Sequence, residues 1–154
     1  MSIRPYTVND YHCVLAIYAN SKLDELRYEP KTFTLLPLQD DKTRLHQLLE
    51  SDIYVYEVEG VMGYGAVFNS EIRALFVCPS ARGKGIGKKL LTFLLNQLSG
   101  NVNLYVAKSN HPAKQLYLQY GFKISNEFLT QYNGVNVLAN RMDKIATTSK
   151  DPHA

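Results

Sequence analysis

Between Ala81 and Lys89 the chain reads ARGKGIGKK, four cations and three glycines in nine residues. An apolar extended run, Glu71 to Val77, comes before it and residues at helical spacing come after. A helix start presents backbone N–H groups without intrahelical partners and a partial positive charge, so it attracts anions. Gly83, Gly85 and Gly87 let a large anion approach the main chain, and Arg82, Lys84, Lys88 and Lys89 add charge. The guest that suits such an end is a phosphate or a pyrophosphate. Two phosphate motifs fail on spacing. A dinucleotide GxGxxG starting at Gly83 needs a glycine where Lys88 stands, and a Walker loop ending at Gly87-Lys88 needs a glycine where Arg82 stands and a hydroxyl where Lys89 stands. What the residues spell is RxxGxG, from Arg82 through Gly85 and Ile86 to Gly87, after a strand and at the opening of a helix.

A second segment, NHPAKQLYLQYGF from Asn110 to Phe122, has the pattern of a capped helix. Asn110 is a cap and Pro112 falls in the first turn, where proline is tolerated. Spacing of i, i+3, i+7 puts Asn110, Ala113 and Tyr117 on one face, with Leu116 and Tyr120 turned another way.

The elements that must carry these residues follow from periodicity and breakers. Ile3 to Thr7 reads as a strand, and Tyr11, Val14, Leu15 and Tyr18 fall at helical spacing behind Thr7 and Asn9. Residues 24–42, with two prolines and mixed charge, read as a loop holding a short helical piece. Thr43 to Leu49 is helical, and IYVYEVEGVMGYGAVF gives two strands about Glu59-Gly60. Glu71 to Val77 reads as a strand covered on both faces. Helices follow over Gly85 to Ser99 and Asn110 to Tyr120, each closed by a glycine, with the strand VNLYVA between them. The end is a hairpin turning at Asn133-Gly134. The order is strand, two helices, three strands, helix, strand, helix, two strands, which predicts an α/β protein with a mixed sheet and helices on its faces. Residues 1–144 form one domain in this reading, and 145–154 form a disordered tail.

In both segments the sequence resembles the GCN5-related N-acetyltransferases (GNAT family). Their signature [QR]xxGx[GA] matches Arg82 to Gly87, and their N..A..LY...GF pattern is met at every fixed letter from Asn110 to Phe122. The resemblance implies a mixed, mostly antiparallel sheet of about six to seven strands flanked by about four helices. It also implies an acetyl-CoA-dependent N-acetyltransferase whose acceptor is a small-molecule or protein amine. The pyrophosphate of acetyl-CoA would lie on Arg82, Gly83, Lys84, Gly85, Ile86, Gly87 and Lys88. The pantetheine arm would run along Leu75, Phe76 and Val77 as an added strand, with the amide of Phe76 or Val77 polarising the acetyl carbonyl. Asn110 and Ala113 would face the cofactor, and Tyr117 would protonate the departing thiolate. Glu71, eleven residues ahead of Arg82, has the position of the general base in the histone-acetylating branch; bulk water and pairing of Glu71 with Arg73 are the alternatives. Glu57 and Glu59 are weaker candidates.

Composition excludes several other classes. With 154 residues, 45% hydrophobic and 20% charged, the chain suits one domain that buries roughly 70% of its unfolded surface and needs no staple. A net charge of +3 is too mild to suggest nucleic acid. Cys13 and Cys78 form no CxxC and read as two buried, reduced thiols. His12, His46, His111 and His153 show no paired ligand spacing, so no metal is expected. No apolar leader and no run of about 18 apolar residues is present, so the expectation is a cytoplasmic protein without membrane contact, monomeric or homodimeric. Two other readings stay open: a non-catalytic acyl-CoA-binding module, and a phosphate- or RNA-binding domain using the basic helix end. Tyr11, Tyr28, Tyr56 and Tyr132 are candidate linings of an acceptor pocket.

Overall fold

A computed structural model describes residues 2–146. The elements are β1 (Ser2–Pro5), α1 (Tyr11–Ser21), α2 (Lys42–Leu49), β2 (Asp52–Glu57), β3 (Val61–Phe68), β4 (Glu71–Val77), α3 (Ile86–Asn96), β5 (Val102–Ala107), α4 (His111–Gln119), β6 (Lys123–Tyr132) and β7 (Val135–Lys144). Short 3-10 turns over Lys22–Leu26 and Leu38–Asp40 interrupt the long connection between α1 and α2. The seven strands form one sheet in the order β1-β2-β3-β4-β5-β7-β6. Every neighbouring pair is antiparallel except β4 with β5. The element order predicted a mixed sheet with helices on its faces, and the family resemblance implied the mostly antiparallel pairing and the four helices that are found.

Strand alternation sends successive side chains to opposite faces, and two cores result. Ile53, Val55, Tyr64 and Ala66 pack with Val14, Ile17 and Tyr18 of α1 and Leu48 of α2. On the other face Val67, Ile72, Leu104 and Met142 meet Leu91 and Leu94 of α3, with Leu116, Tyr117 and Tyr120 of α4 alongside. Helix α3 sits close because Gly63 and Gly65 face it: a Cβ on Gly65 would stand 2.6 Å from Leu94 Cδ1. Both tight turns need left-handed backbone, and the residues supply it at Glu59-Gly60 (φ 52° and 118°) and Asn133-Gly134 (φ 48° and 80°).

Some expectations change. β4 is not sheathed on both faces; only Ile72 of it is buried, because β5 diverges from it and leaves a cleft. Cys13 is exposed and Cys78 half-buried, and neither is in a disulfide; Cys13 lies on the solvent side of α1. α3 ends at Asn96 rather than Ser99. Of the expected tail, Ile145 and Ala146 are described, with the Ala146 N–H donating to Asn101 Oδ1 at 2.7 Å; the remainder, including His153, lies outside the described residues. Among the described residues no helix is long and apolar enough to cross a membrane.

Candidate active site

β4 and β5 share one parallel rung, Glu71 with Asn103, after which β5 pairs with β7 from Val102 to Ala107. A parallel ladder that stops after one rung leaves the facing edge of β4 without partners. The opening is a cleft of about 1250 Å³, walled by β4, β5, the mouth of α3, one face of α4 and the Lys22–Leu26 turn. A bulge shapes the exposed edge: register with β3 shifts between Ala66 and Val67, so Arg73 is the extra residue in β4. Beyond the bulge the amides alternate. The Cys78 N–H donates to Met62 O at 2.7 Å on β3, so the Phe76 N–H also points to β3, and those of Leu75 and Val77 point into the gap. The Val77 carbonyl fits this parity, since it accepts the Ser21 hydroxyl at 3.4 Å on the side away from β3. Of the two amides named from the sequence for polarising a carbonyl, those of Phe76 and Val77, it is the Val77 N–H that faces the gap. The Phe76 ring instead packs between Tyr18 and Tyr64, at 5.5 and 5.4 Å.

At one end of the cleft α3 begins. Gly83 and Gly85 hold φ of +79° and +77°, conformations that favour glycine, and no atom lies within 4 Å of where their Cβ atoms would be. α2 is capped by Asp41 and α4 by Asn110; no side chain caps α3. The first N–H groups of α3, with the charge of Lys88 beside them, thus remain available to an anion. Arg82 lines the cleft but pairs with Asp24 in the turn after α1. Both partners are about two-fifths exposed, at 39% and 41%. Such a pair is worth under about 1 kcal/mol, too little to withhold the guanidinium from a diphosphate. Lys84 departs from expectation. It is exposed and does not line the cleft, because the flanking left-handed glycines turn the loop outward there.

Asn110, Pro112, Ala113, Leu116 and Tyr117 of α4 all face the cleft. Leu116 joins that face, contrary to the i, i+3, i+7 reading, since i+3 and i+4 positions share a stripe. The Tyr117 ring stands edge-on to Phe122 at 5.7 Å. Burial pushes its phenol above the ordinary value of 10, with the Glu25 carboxylate adding to the shift. On β4, Glu71 also lines the cleft, and its Oε1 accepts from Arg73 Nε at 3.4 Å, the pairing foreseen as one alternative. Arg73 is shared with Glu50 at 2.6 Å and covers the Phe68 ring. Glu57 is paired with Arg4 and Glu59 sits in a turn; neither lines the cleft.

Of the four candidate pocket tyrosines only Tyr132 lines the cleft, while Tyr18, Tyr64 and Tyr105, not singled out from sequence, do. So do Lys22, Glu25 and Arg44. Tyr18, Lys22 and Glu25 are spaced i, i+4, i+7, a helical stripe that continues α1 past Ser21 and was the available signal. Among the described residues no group of three or more His, Cys, Asp or Glu is placed to hold a metal ion.

The residues present fit the expected coenzyme by shape: an uncapped helix mouth, open glycine positions and an unpaired strand edge border one continuous cleft. Comparison with known proteins is consistent. The acetyltransferase (GNAT) domain family matches residues 50–124, from just before β2 to the start of β6. No curated protein matches the chain. Among solved structures, a GCN5-related N-acetyltransferase from Rhodopseudomonas palustris superposes with TM-score 0.77 at 16% identity, covering 94% of each chain. A ribosomal-protein-alanine N-acetyltransferase from Brucella melitensis gives 0.70 at 24% identity, covering 94% of this chain and 99% of that one. A putative acetyltransferase from Salmonella typhimurium, solved with its cofactor acetyl-CoA, gives 0.67 at 20% identity, over 99% and 97%. At these identities the structures speak for the fold, and the domain match speaks for the lineage. From just before β2 to the start of β6 the chain matches the acetyltransferase (GNAT) domain family, and around that match, with its parted sheet and RxxGxG helix mouth, it has the fold of the GCN5-related N-acetyltransferases.

Proposed function

We propose that the protein transfers the acetyl group of acetyl-CoA to a primary amine by direct attack. The observation that carries this reading is the single-rung β4–β5 junction, which puts an unpaired strand edge, an uncapped helix start and the Tyr117 phenol on one cleft.

Acetyl-CoA, when bound, supplies the acyl group as a thioester. Residues of the chain do the rest. The N–H groups at the start of α3, with Arg82 and Lys88, hold the diphosphate. Leu75 and Val77 offer the amides that face the gap, and the Val77 N–H polarises the acyl carbonyl. Glu71, or water beside it, takes the proton that the amine must lose before attack. Tyr117 gives its proton to the leaving sulfur. Its raised pKa keeps that proton in place at neutral pH; because it lies above the ordinary thiol value near 8.5, the transfer to sulfur is uphill and is completed as water restores the phenol. In balance, one N–C bond forms and one C–S bond breaks. The ammonium loses one proton before attack and the bonded nitrogen loses a second as the amide forms, both to Glu71 or solvent; a proton passes from Tyr117 to sulfur, and the phenol is restored from water.

The test is release of free thiol from acetyl-CoA in the presence of primary amines of several classes. Turnover with at least one class supports the reading. Binding of acetyl-CoA without thiol release from any amine leaves the fold as an acyl-CoA-binding module instead.

A further inference from the structure

The cleft wall formed by α1, its extension and α2 carries polar groups that the transfer chemistry does not use. The Tyr132 ring is flanked by two cations, Lys22 Nζ at 5.3 Å and the Arg44 guanidinium at 5.2 Å from its centroid. Its hydroxyl is already spent on Leu36, accepting the N–H at 2.8 Å and facing the carbonyl at 3.4 Å, so the ring is fixed between them. Each cation has one acid: Lys22 pairs with Glu25 at 2.8 Å and Arg44 with Asp41 at 3.1 Å. Tyr18, only 4% exposed, lines the same wall, and its hydroxyl has no hydrogen-bond partner.

A buried hydroxyl without a partner is unfavourable, and such exceptions call for a missing acceptor. The charges nearby narrow what that acceptor belongs to. Lys22, Arg44 and Glu25 line the cleft, while Asp41 stays behind Arg44 as the cap of α2, so a polyamine would meet the two cations and a dianion would meet Glu25. A molecule carrying one charge of each sign exchanges the internal pairs for its own. Glu25 is also the carboxylate whose field reaches the Tyr117 phenol, which sets the positive end of such a guest toward the transfer centre.

We propose that the acceptor is a small zwitterionic amine of the free amino acid type, its carboxylate bound by the Tyr18 hydroxyl, Lys22 and Arg44 and its ammonium facing Glu25. The proposal rests on the acetyltransferase reading above. A peptide N-terminus suits this wall less well, because an amide in place of the carboxylate leaves both cations facing a neutral group. The transfer itself balances as already written, the ammonium losing one proton before attack.

The experiment measures thiol release by the full chain with free amino acids, the same amino acids as C-terminal amides, and the matching decarboxylated amines. The expected result is at least a tenfold fall in kcat/KM when the carboxylate is amidated or removed. Tyr18→Phe and Arg44→Gln should each raise KM for the free acids at least tenfold, leave KM for acetyl-CoA unchanged, and barely affect the amides. Tyr18→Phe keeps the ring, and its melting temperature with and without acetyl-CoA shows that it is folded. Equal turnover of acids and amides, or equal losses for both in the two variants, overturns the proposal and leaves the acetyltransferase reading standing. Absence of thiol release with every amine, from protein that binds acetyl-CoA, removes both.

Discussion

In the proposed reaction Tyr117 enters protonated, because burial holds its proton. Burial, with the Glu25 carboxylate contributing, raises the phenol above 10, so the protonated form persists through and beyond pH 10. Activity should therefore show no Tyr117-dependent alkaline limb below about pH 10, and a pH–rate profile of wild type against Tyr117→Phe checks it. The variant should lose about tenfold or more in kcat, as general acids contribute roughly 10²-fold upward. In the same assay Glu71→Gln should lose about tenfold near pH 7, and recover in part as pH approaches the amine's own pKa and base assistance matters less. At this scale one side of the cleft was legible, because Arg82, Gly85, Gly87, Asn110, Ala113 and Tyr117 lie within two short segments where spacing alone fixes geometry. The opposite wall was less so. Tyr18, Lys22, Glu25 and Arg44 converge only after α1, its 3-10 extension and α2 fold onto β4, and the i, i+4, i+7 stripe of the first three gives no sign of Arg44.

Among the elements, β3 and β4 decide where the cleft edge lies. A Cβ on Gly63 would stand 2.8 Å from the Phe76 carbonyl oxygen, which is main chain, whereas one on Gly65 would meet the end of the Leu94 side chain. Side chains yield more easily than a paired strand. Gly63→Ala should thus cost about 1–3 kcal/mol, more than Gly65→Ala, and should also weaken acetyl-CoA binding because it displaces β4. Denaturant unfolding and a binding isotherm for both variants test the order. The junction of β1 and α1 has its own lock: Arg4 donates to both oxygens of buried Asp10, at 2.8 and 2.9 Å, and the Thr7 N–H donates to the same carboxylate. The Arg4 hydrogen bonds, assisted by Thr7, hold the Asp10 pKa at about 2, below its ordinary 3.8. A depressed acid stabilises the fold above its unfolded pKa and ceases to as pH falls through the folded one. Between about pH 4 and pH 2 the melting temperature of wild type should fall more steeply than that of Asp10→Asn. The bulge at Arg73 could not be read from the chain, since an almost wholly apolar run has no alternation that a one-residue insertion would break.

For the whole molecule, element order was legible and pairing was not. VNLYVA identifies a strand, but nothing in it says that β5 abandons β4 after Asn103 and joins β7 instead. Binding in the resulting gap should stabilise the native state by mass action. At a hundredfold excess over Kd the gain is about 2.7 kcal/mol, which for a chain of this size raises the melting temperature by about 5–10 °C. Calorimetry with acetyl-CoA checks this. The β4–β5 junction has a further consequence. In the proposed reading the coenzyme's amide-bearing arm pairs with the β4 edge that β5 leaves open, and so serves as a removable piece of secondary structure. Deuterium uptake at the β4 amides facing the gap should slow markedly once that piece is in place, while the β2–β3 ladder, complete without it, should exchange as before.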